Sequence, residues 1–231
     1  YSIQKLLMEI YREQLQKERF KTKQKDAEFK MLASQINPHF LYNTLETIRM
    51  KARENKEYEI EELVKILSRI LRYNIQTGNE PTSINSEIEL LENYLTIQQY
   101  RFGDRIQYAF SVEDILREQL ILPLILQPIV ENSIIHGLEA KEGTGHIWID
   151  VTHRDDVIII TIEDDGLGIE EEYLRKLHDS LENEDYENRS HIGVNNVHQR
   201  LKLYYGEAYG LKLDSIKGKG TKVMIHIPYG R

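Results

Sequence analysis

The sequence contains no cysteine. Disulfides and thiolate metal sites are excluded, and the composition fits a reducing compartment. No apolar run approaches the roughly 18–20 residues that span a bilayer. No signal peptide is visible. A basic excess is missing too: 30 Lys and Arg stand against 38 Asp and Glu, for a formal charge of −8. Nucleic acid is not an expected partner, because its footprint needs a basic face. A nucleotide ligand stays open, since local loops bind phosphates whatever the global charge. The chain begins at Tyr1 rather than Met. We read it as a fragment, with any N-terminal membrane anchor outside it.

What is present suffices for one or two domains with real cores: 231 residues with 40% apolar content. Residues 1–35 have no Pro or Gly and read as one helix. Ile3, Leu6, Ile10, Phe20, Ala27 and Met31 fall on a seven-residue frame that Glu13, Lys17 and Gln24 interrupt. The pattern fits a weak parallel coiled coil or a solvated helix. At Asn37-Pro38 either a helix restarts, with Asn as cap and Pro in the first turn, or one long helix kinks. Helix resumes through about Arg53. A second amphipathic helix runs from about Glu57 to Gln76, with Leu63, Ile66, Leu67, Ile70 and Leu71 on one face. The two suggest an antiparallel hairpin. A hairpin this short buries its faces best by dimerising into a four-helix bundle.

Thr77-Gly78-Asn79-Glu80-Pro81 is the clearest linker. The expected organisation is a coiled-coil helix over 1–30, a helical hairpin over 31–78 and a second domain over 79–231. In that domain Ser86 with Glu89 predicts a capping box before a helix ending near Arg101. Pro123 opens another helix, through His136-Gly137. Strands are expected at 106–112, 146–153, 157–163, 209–216 and 221–228, and helices at 170–181 and 194–205. This alternation points to an α/β sandwich.

Four short motifs carry chemistry. Asn132 lies with Glu131 among apolar residues on the helix after Pro128. Its side chain is either bonded to core backbone or a Mg²⁺ ligand beside phosphates. Asp164-Asp165-Gly166-Leu167-Gly168 follows a buried strand. It is a tight turn, or a place where backbone approaches a flat ligand whose amine meets a carboxylate. Ile192-Gly193-Val194-Asn195 precedes a helix, whose start favours an anion. Gly218-Lys219-Gly220-Thr221 joins the last two strands.

Their order resembles the N, G1, G2 and G3 boxes of the ATPase fold shared by gyrase, Hsp90, MutL and histidine kinases. By that resemblance Asn132 would hold Mg²⁺ and Asp164 would bind adenine. Gly166 and Gly168 would shape the pocket, Gly193 would open the phosphate-facing helix, and Gly220 and Thr221 would complete the site. Residues 170–191, polar and acidic, would form the ATP lid. His136, beside Asn132, is a candidate for the pocket wall. Hydrolases of this superfamily carry a basic-catalyst Glu four residues before the Asn; here that residue is Pro128. Phosphoryl transfer to a side chain therefore fits better than hydrolysis. His191 stands where many relatives have Gly.

The segment Gln35-Ile36-Asn37-Pro38-His39-Phe40-Leu41-Tyr42-Asn43 resembles the LytS/YesM-type bacterial sensor histidine kinases. Leu126–Asn132, Leu71-Arg72-Tyr73, Asn93-Tyr94-Leu95 and Tyr100-Arg101-Phe102 share that likeness, which covers about residues 31–231. It implies that His39 is phosphorylated from Mg²⁺-ATP and passes the group to an Asp of a response regulator receiver domain. It also implies a homodimer, and the cytoplasmic portion of a cell-membrane protein. A neutral imidazole is a competent nucleophile near pH 7. Many histidine kinases place a carboxylate directly after the His; here it is Phe40. Asn43, four residues on, shares its helical face. It suits positioning of the imidazole, or of a water that dephosphorylates the regulator. Competing readings are an ATPase of the same fold whose helices only dimerise, and a nucleotide-binding scaffold.

Overall fold

A computed structural model describes residues 38–77, 80–182 and 192–230. The expected coiled coil, Asn37, Gly78, Asn79 and His191 lie outside them. The chain divides into two compact units, residues 1–47 and 48–231.

The described part of the first unit is the opening of helix α1, Pro38–Glu54. Proline suits a first turn, where its missing N–H has no partner to lose. The hydroxyls of Thr44 and Thr47 donate to the carbonyls of Phe40 and Asn43, each at 2.8 Å. Such bonds satisfy short polar side chains inside a helix.

In the second unit α1 ends without glycine. Lys56 adopts φ +62°. Its N–H donates to Arg53 and that of Glu57 to Ala52, the paired bonds of a Schellman turn. Helix α2, Tyr58–Gln76, follows at once, and Arg49 pairs with Glu61 at 3.0 Å. Ile66 and Ile70 of α2 are buried against Leu90 of helix α3, Ile84–Phe102. Leu67 stays 45% exposed.

The start of α3 corrects the expected cap. Ser83, not Ser86, accepts the Ser86 N–H at 3.2 Å. The reason is tertiary. Strand β1, Thr82–Ser83, pairs antiparallel with β3, Leu120–Ile121, which fixes where the chain turns helical. The carbonyls of Gln119 and Arg117 then accept the N–H groups of Ile84 and Asn85, which no helical partner could satisfy.

A five-stranded sheet forms the body: β2 (Ile106–Val112), β4 (Gly145–Arg154), β5 (Val157–Asp164), β7 (Gly220–Pro228) and β6 (Gly210–Ile216), in that spatial order. The β2–β4 pair is parallel and the others are antiparallel. Strand alternation decides the layers. In β5, Ile158, Ile160 and Ile162 are buried, while Ile159, Thr161 and Glu163 are only partly covered. The buried face carries helix α3, helix α4 (Gln127–Asn132) and helix α6 (Ile192–Tyr205), whose apolar residues join one core. Each fully buried Ile or Leu contributes roughly 1.5–3 kcal/mol. The α/β sandwich expected from the sequence is thus the fold, preceded by helices.

Two further boundaries differ from expectation. The helix expected to open at Pro123 starts at Gln127, because Leu124 takes φ +57° and cannot be helical. Past Asn132 it widens into a π-helix, Ser133–Leu138, where the Glu139 N–H donates to Ile134 five residues back.

His198 fixes α6 to the sheet. It is 8% exposed, and its Nδ1 accepts the Leu211 N–H of β6 at 3.1 Å. Burial, and then the charge of Lys202, hold its pKa below the ordinary histidine value. The folded state therefore binds this proton less readily than the unfolded chain. Stability should be full above about pH 6.5 and fall as pH drops below it. Urea unfolding at pH 7.5 and 5.5 should show a larger loss in the wild type than in His198→Asn. Equal losses would exclude this origin.

Candidate functional site

β5 ends in the residue that organises the site. Two positions after Ile162, Asp164 inherits the buried face and is 3% exposed. Its carboxylate accepts the Gly166 N–H at 2.9 Å. Burial raises its pKa, opposed by hydrogen bonds from the Ser133 hydroxyl and the Gly166 and Thr221 amides. A carboxylate so placed is a hydrogen-bond acceptor in a weakly polar wall, where a matching donor counts for more than in water.

Asp165, pointing the other way, is a brace. It accepts the His146 N–H at 2.7 Å, lies 2.9 Å from the His146 ring and pairs with Lys141 at 2.8 Å. Partial burial opposes its charge, yet Lys141 and His146 hold its pKa below the usual range. The resemblance singled out Asp164 and was silent on Asp165; strand alternation gives the reason for their different roles.

Gly166 and Gly220 are each required by contact. A Cβ on Gly166 would lie 2.5 Å from the Gly137 backbone. Through this approach the π-helix meets the turn, and Leu167 N–H donates to the Gly137 carbonyl at 3.0 Å. Gly220 has φ +112°, and a Cβ there would overlap the Asp164 carbonyl. Thr221 is in register with Asp164 across β5 and β7, and Gly220 sits directly beside it.

These elements enclose a cleft of about 430 Å³. Asn132, Asp164, Gly168, Gly193 and Thr221 line it together. Gly166 lies beneath, in backbone contact with Gly137, and Gly220 beside Asp164. Gly193 stands in the first turn of α6, close to Asn132: a Cβ on it would be 3.5 Å from Asn132 Nδ2. His136 is in the wall as expected. Glu131 turns aside to Gln127 at 2.7 Å. Sequence reading missed Ser133, Tyr173 and Lys217, which also line the cleft. Lys217 lies 3.4 Å from Glu170. A polar Ser133 amid apolar neighbours was the only available signal. Half of the expected lid is helix α5, Glu171–Glu182, with Leu177 and Leu181 buried. Residues 183–191 lie outside the described set.

The other candidate residues belong to the first unit. His39 is exposed on α1. Asn43 Nδ2 is 3.2 Å from His39 Nδ1 and 3.5 Å from Nε2. The helical spacing that put both on one face also puts them in hydrogen-bond contact.

The family described as histidine kinase matches residues 27–106. That described as histidine kinase-, DNA gyrase B-, and HSP90-like ATPase matches residues 118–231. Sensor histidine kinase YesM of Bacillus subtilis is 36% identical over 204 residues, 88% of this chain and 34% of that protein. Sensor histidine kinase YpdA of Escherichia coli is 36% identical over 206 residues, 89% of this chain and 35% of its own. Sensor protein LytS of Oceanobacillus iheyensis is 36% identical over 216 residues, 93% and 37% respectively. The chain spans about a third of the length of these relatives. Among solved structures, the histidine kinase domain of a blue-light activated histidine kinase from Erythrobacter litoralis has a TM-score of 0.48 at 16% identity. It covers 82% of this chain and 95% of its own. The catalytic domain of histidine kinase ThkA has 0.47 at 14%, covering 65% and 97%.

The two glycine environments predict opposite outcomes. Gly166→Ala should destabilise the fold by about 1–3 kcal/mol through overpacking. Gly193→Ala, helical and with only ordinary contact at Asn132, should leave stability unchanged or raise it by up to about 1 kcal/mol. Urea denaturation of the two variants checks both signs.

Proposed function

Since the chain belongs to the histidine kinase family, we propose that it is the cytoplasmic kinase portion of a membrane sensor, which phosphorylates His39 from ATP. The observation that carries the reading is the convergence of Asn132, Asp164, Gly193 and Thr221, from four separated segments, on one cleft.

In this reading the Asp164 carboxylate accepts the exocyclic amine of adenine. The phosphates run toward the first turn of α6, where unpaired N–H groups and the helix dipole favour negative charge. Asn132 is the residue that would hold Mg²⁺ there, and a side-chain oxygen next to phosphates suits this metal. Mg²⁺ neutralises charge on the phosphate oxygens. Gly193 stands beside Asn132 at the start of α6.

At His39 the neighbour Asn43 supplies orientation. As the side chain stands, Asn43 Nδ2 faces Nδ1; a half-turn of the amide brings its oxygen there instead, and Nδ1 then keeps its proton with the lone pair on Nε2. Nε2 then attacks the γ-phosphorus, the N–P bond forms, and the bond to the bridging oxygen breaks to release ADP. The same amide suits holding a water for removal of phosphate from the regulator. Phe40 offers no base, and a neutral imidazole needs none to attack.

The phosphoryl group then passes to an Asp of a response regulator receiver domain. A homodimer fits the apolar residues that α1 and α2 leave exposed, among them Met50 at 54% and Ile60 at 47%.

Incubation with ATP radiolabelled at the γ-phosphate tests this. Wild type should acquire a base-stable, acid-labile label, and His39→Gln should acquire none while still binding nucleotide. Asn43→Ala should label at least tenfold more slowly, by about 10–100-fold for a lost orienting partner. Free phosphate without labelled protein supports an ATPase instead, and neither product supports a scaffold.

A further inference from the structure

The deepest carboxylate among the described residues is not in the cleft. Glu87 of α3 is 1% exposed. Its Oε1 accepts the Leu124 N–H at 2.9 Å, and its Oε2 faces the N–H groups of Ile125 and Leu126 at 3.3 and 3.5 Å. Tyr73 of α2 donates its hydroxyl to Oε1 at 2.8 Å. Burying a carboxylate is expensive unless it is well bonded, and four donors from two segments meet this need.

Those three amides lie at the entry of helix α4. We propose that Glu87 is a positioning residue for Asn132: it caps α4 from across the fold, and Tyr73 ties that cap to helix α2. This rests on the reading above, in which Asn132 holds Mg²⁺ beside the phosphates.

Three observations favour it over a merely satisfied buried acid. First, α4 is six residues long, with Asn132 its last. A tilt at its first turn therefore reaches Asn132 with little to absorb it. Secondly, the capped segment is strained. Leu124 holds φ +57° without being glycine, a conformation that costs of order 1–3 kcal/mol and persists only where the surroundings impose it. Thirdly, the segment is also gripped by α6, which carries Gly193 in its first turn. Arg200 of α6 donates to the carbonyls of Pro123 and Leu124 at 2.8 and 3.3 Å, and the Leu122 N–H donates to Tyr205 at 3.0 Å. One short stretch thus sets the register of the two helices that would flank the phosphates. Its Leu124 side chain packs into the Ile66, Ile70 and Leu90 cluster, so α2 reaches it directly at Leu124 and by way of Glu87 from Tyr73.

The test is ADP affinity measured calorimetrically with and without Mg²⁺, on the full chain, for wild type, Asn132→Ala, Glu87→Gln and Tyr73→Phe. Glu87→Gln turns an amide N–H toward backbone donors; Tyr73→Phe removes one hydroxyl. Wild type should gain affinity from Mg²⁺, and Asn132→Ala should lose that gain. In both Glu87→Gln and Tyr73→Phe the gain should shrink by about tenfold, the usual scale for loss of a partner that orients a metal ligand. Affinity for ADP without Mg²⁺ should stay near wild type. A purely structural Glu87 would lower the melting temperature and leave the Mg²⁺ gain intact, and that result would falsify the proposal. If Glu87→Gln does not fold, Tyr73→Phe alone decides. If wild type shows no Mg²⁺ gain, or Asn132→Ala retains it, the assignment of Asn132 falls and this proposal with it. Intact behaviour in those two with silent Glu87→Gln and Tyr73→Phe overturns this proposal alone.

Discussion

Everything around the cleft answers to one constraint: a carboxylate kept at the end of an apolar strand. Asp164 follows Ile158, Ile160 and Ile162 on the covered face of β5, so strand geometry alone directs it into the helical layer. Its burial obliges neighbours to supply donors, and the Gly166 and Thr221 amides and the Ser133 hydroxyl do so. Those donors come close only because Gly166 and Gly137 touch backbone to backbone and Gly220 leaves the Asp164 carbonyl uncovered. The G1 turn, the π-helix and the last hairpin are thereby fixed relative to one another.

Much of this was legible in the sequence. Strand and helix positions followed apolar periodicity, and the residues that meet in the cleft came from four short motifs, two beside strands and two on helices. What escaped has a common cause. Ser83 rather than Ser86 caps α3 because of a two-residue strand pair with a segment nearly forty residues on. α4 starts late because Leu124 is held at φ +57°, in a segment whose amides meet Glu87 from 37–39 positions earlier. Local signals cannot register a competitor supplied from elsewhere in the fold.

The adjacent aspartates show the same limit at the scale of one residue. Asp164 and Asp165 are chemically identical, and no composition argument separates them. Alternation gives one a desolvated wall and the other Lys141 and His146. Their pKa values move in opposite directions for that reason. One is left with acceptor capacity toward the cleft, and the other is consumed in holding the turn.

The parallel pairing of β2 with β4 has a thermodynamic consequence. A parallel neighbour requires a long crossover, and here the crossover contains Asn132, whereas Asp164, Gly193 and Thr221 come after it. No contiguous stretch of chain holds more than a fraction of the cleft. A ligand therefore recognises only the closed sheet, and its binding energy opposes global unfolding rather than local fraying. At a hundred times its dissociation constant a ligand adds about 2.7 kcal/mol to the native state. For a domain whose stability is of order 5–15 kcal/mol, nucleotide bound in the proposed way would act as a component of the fold.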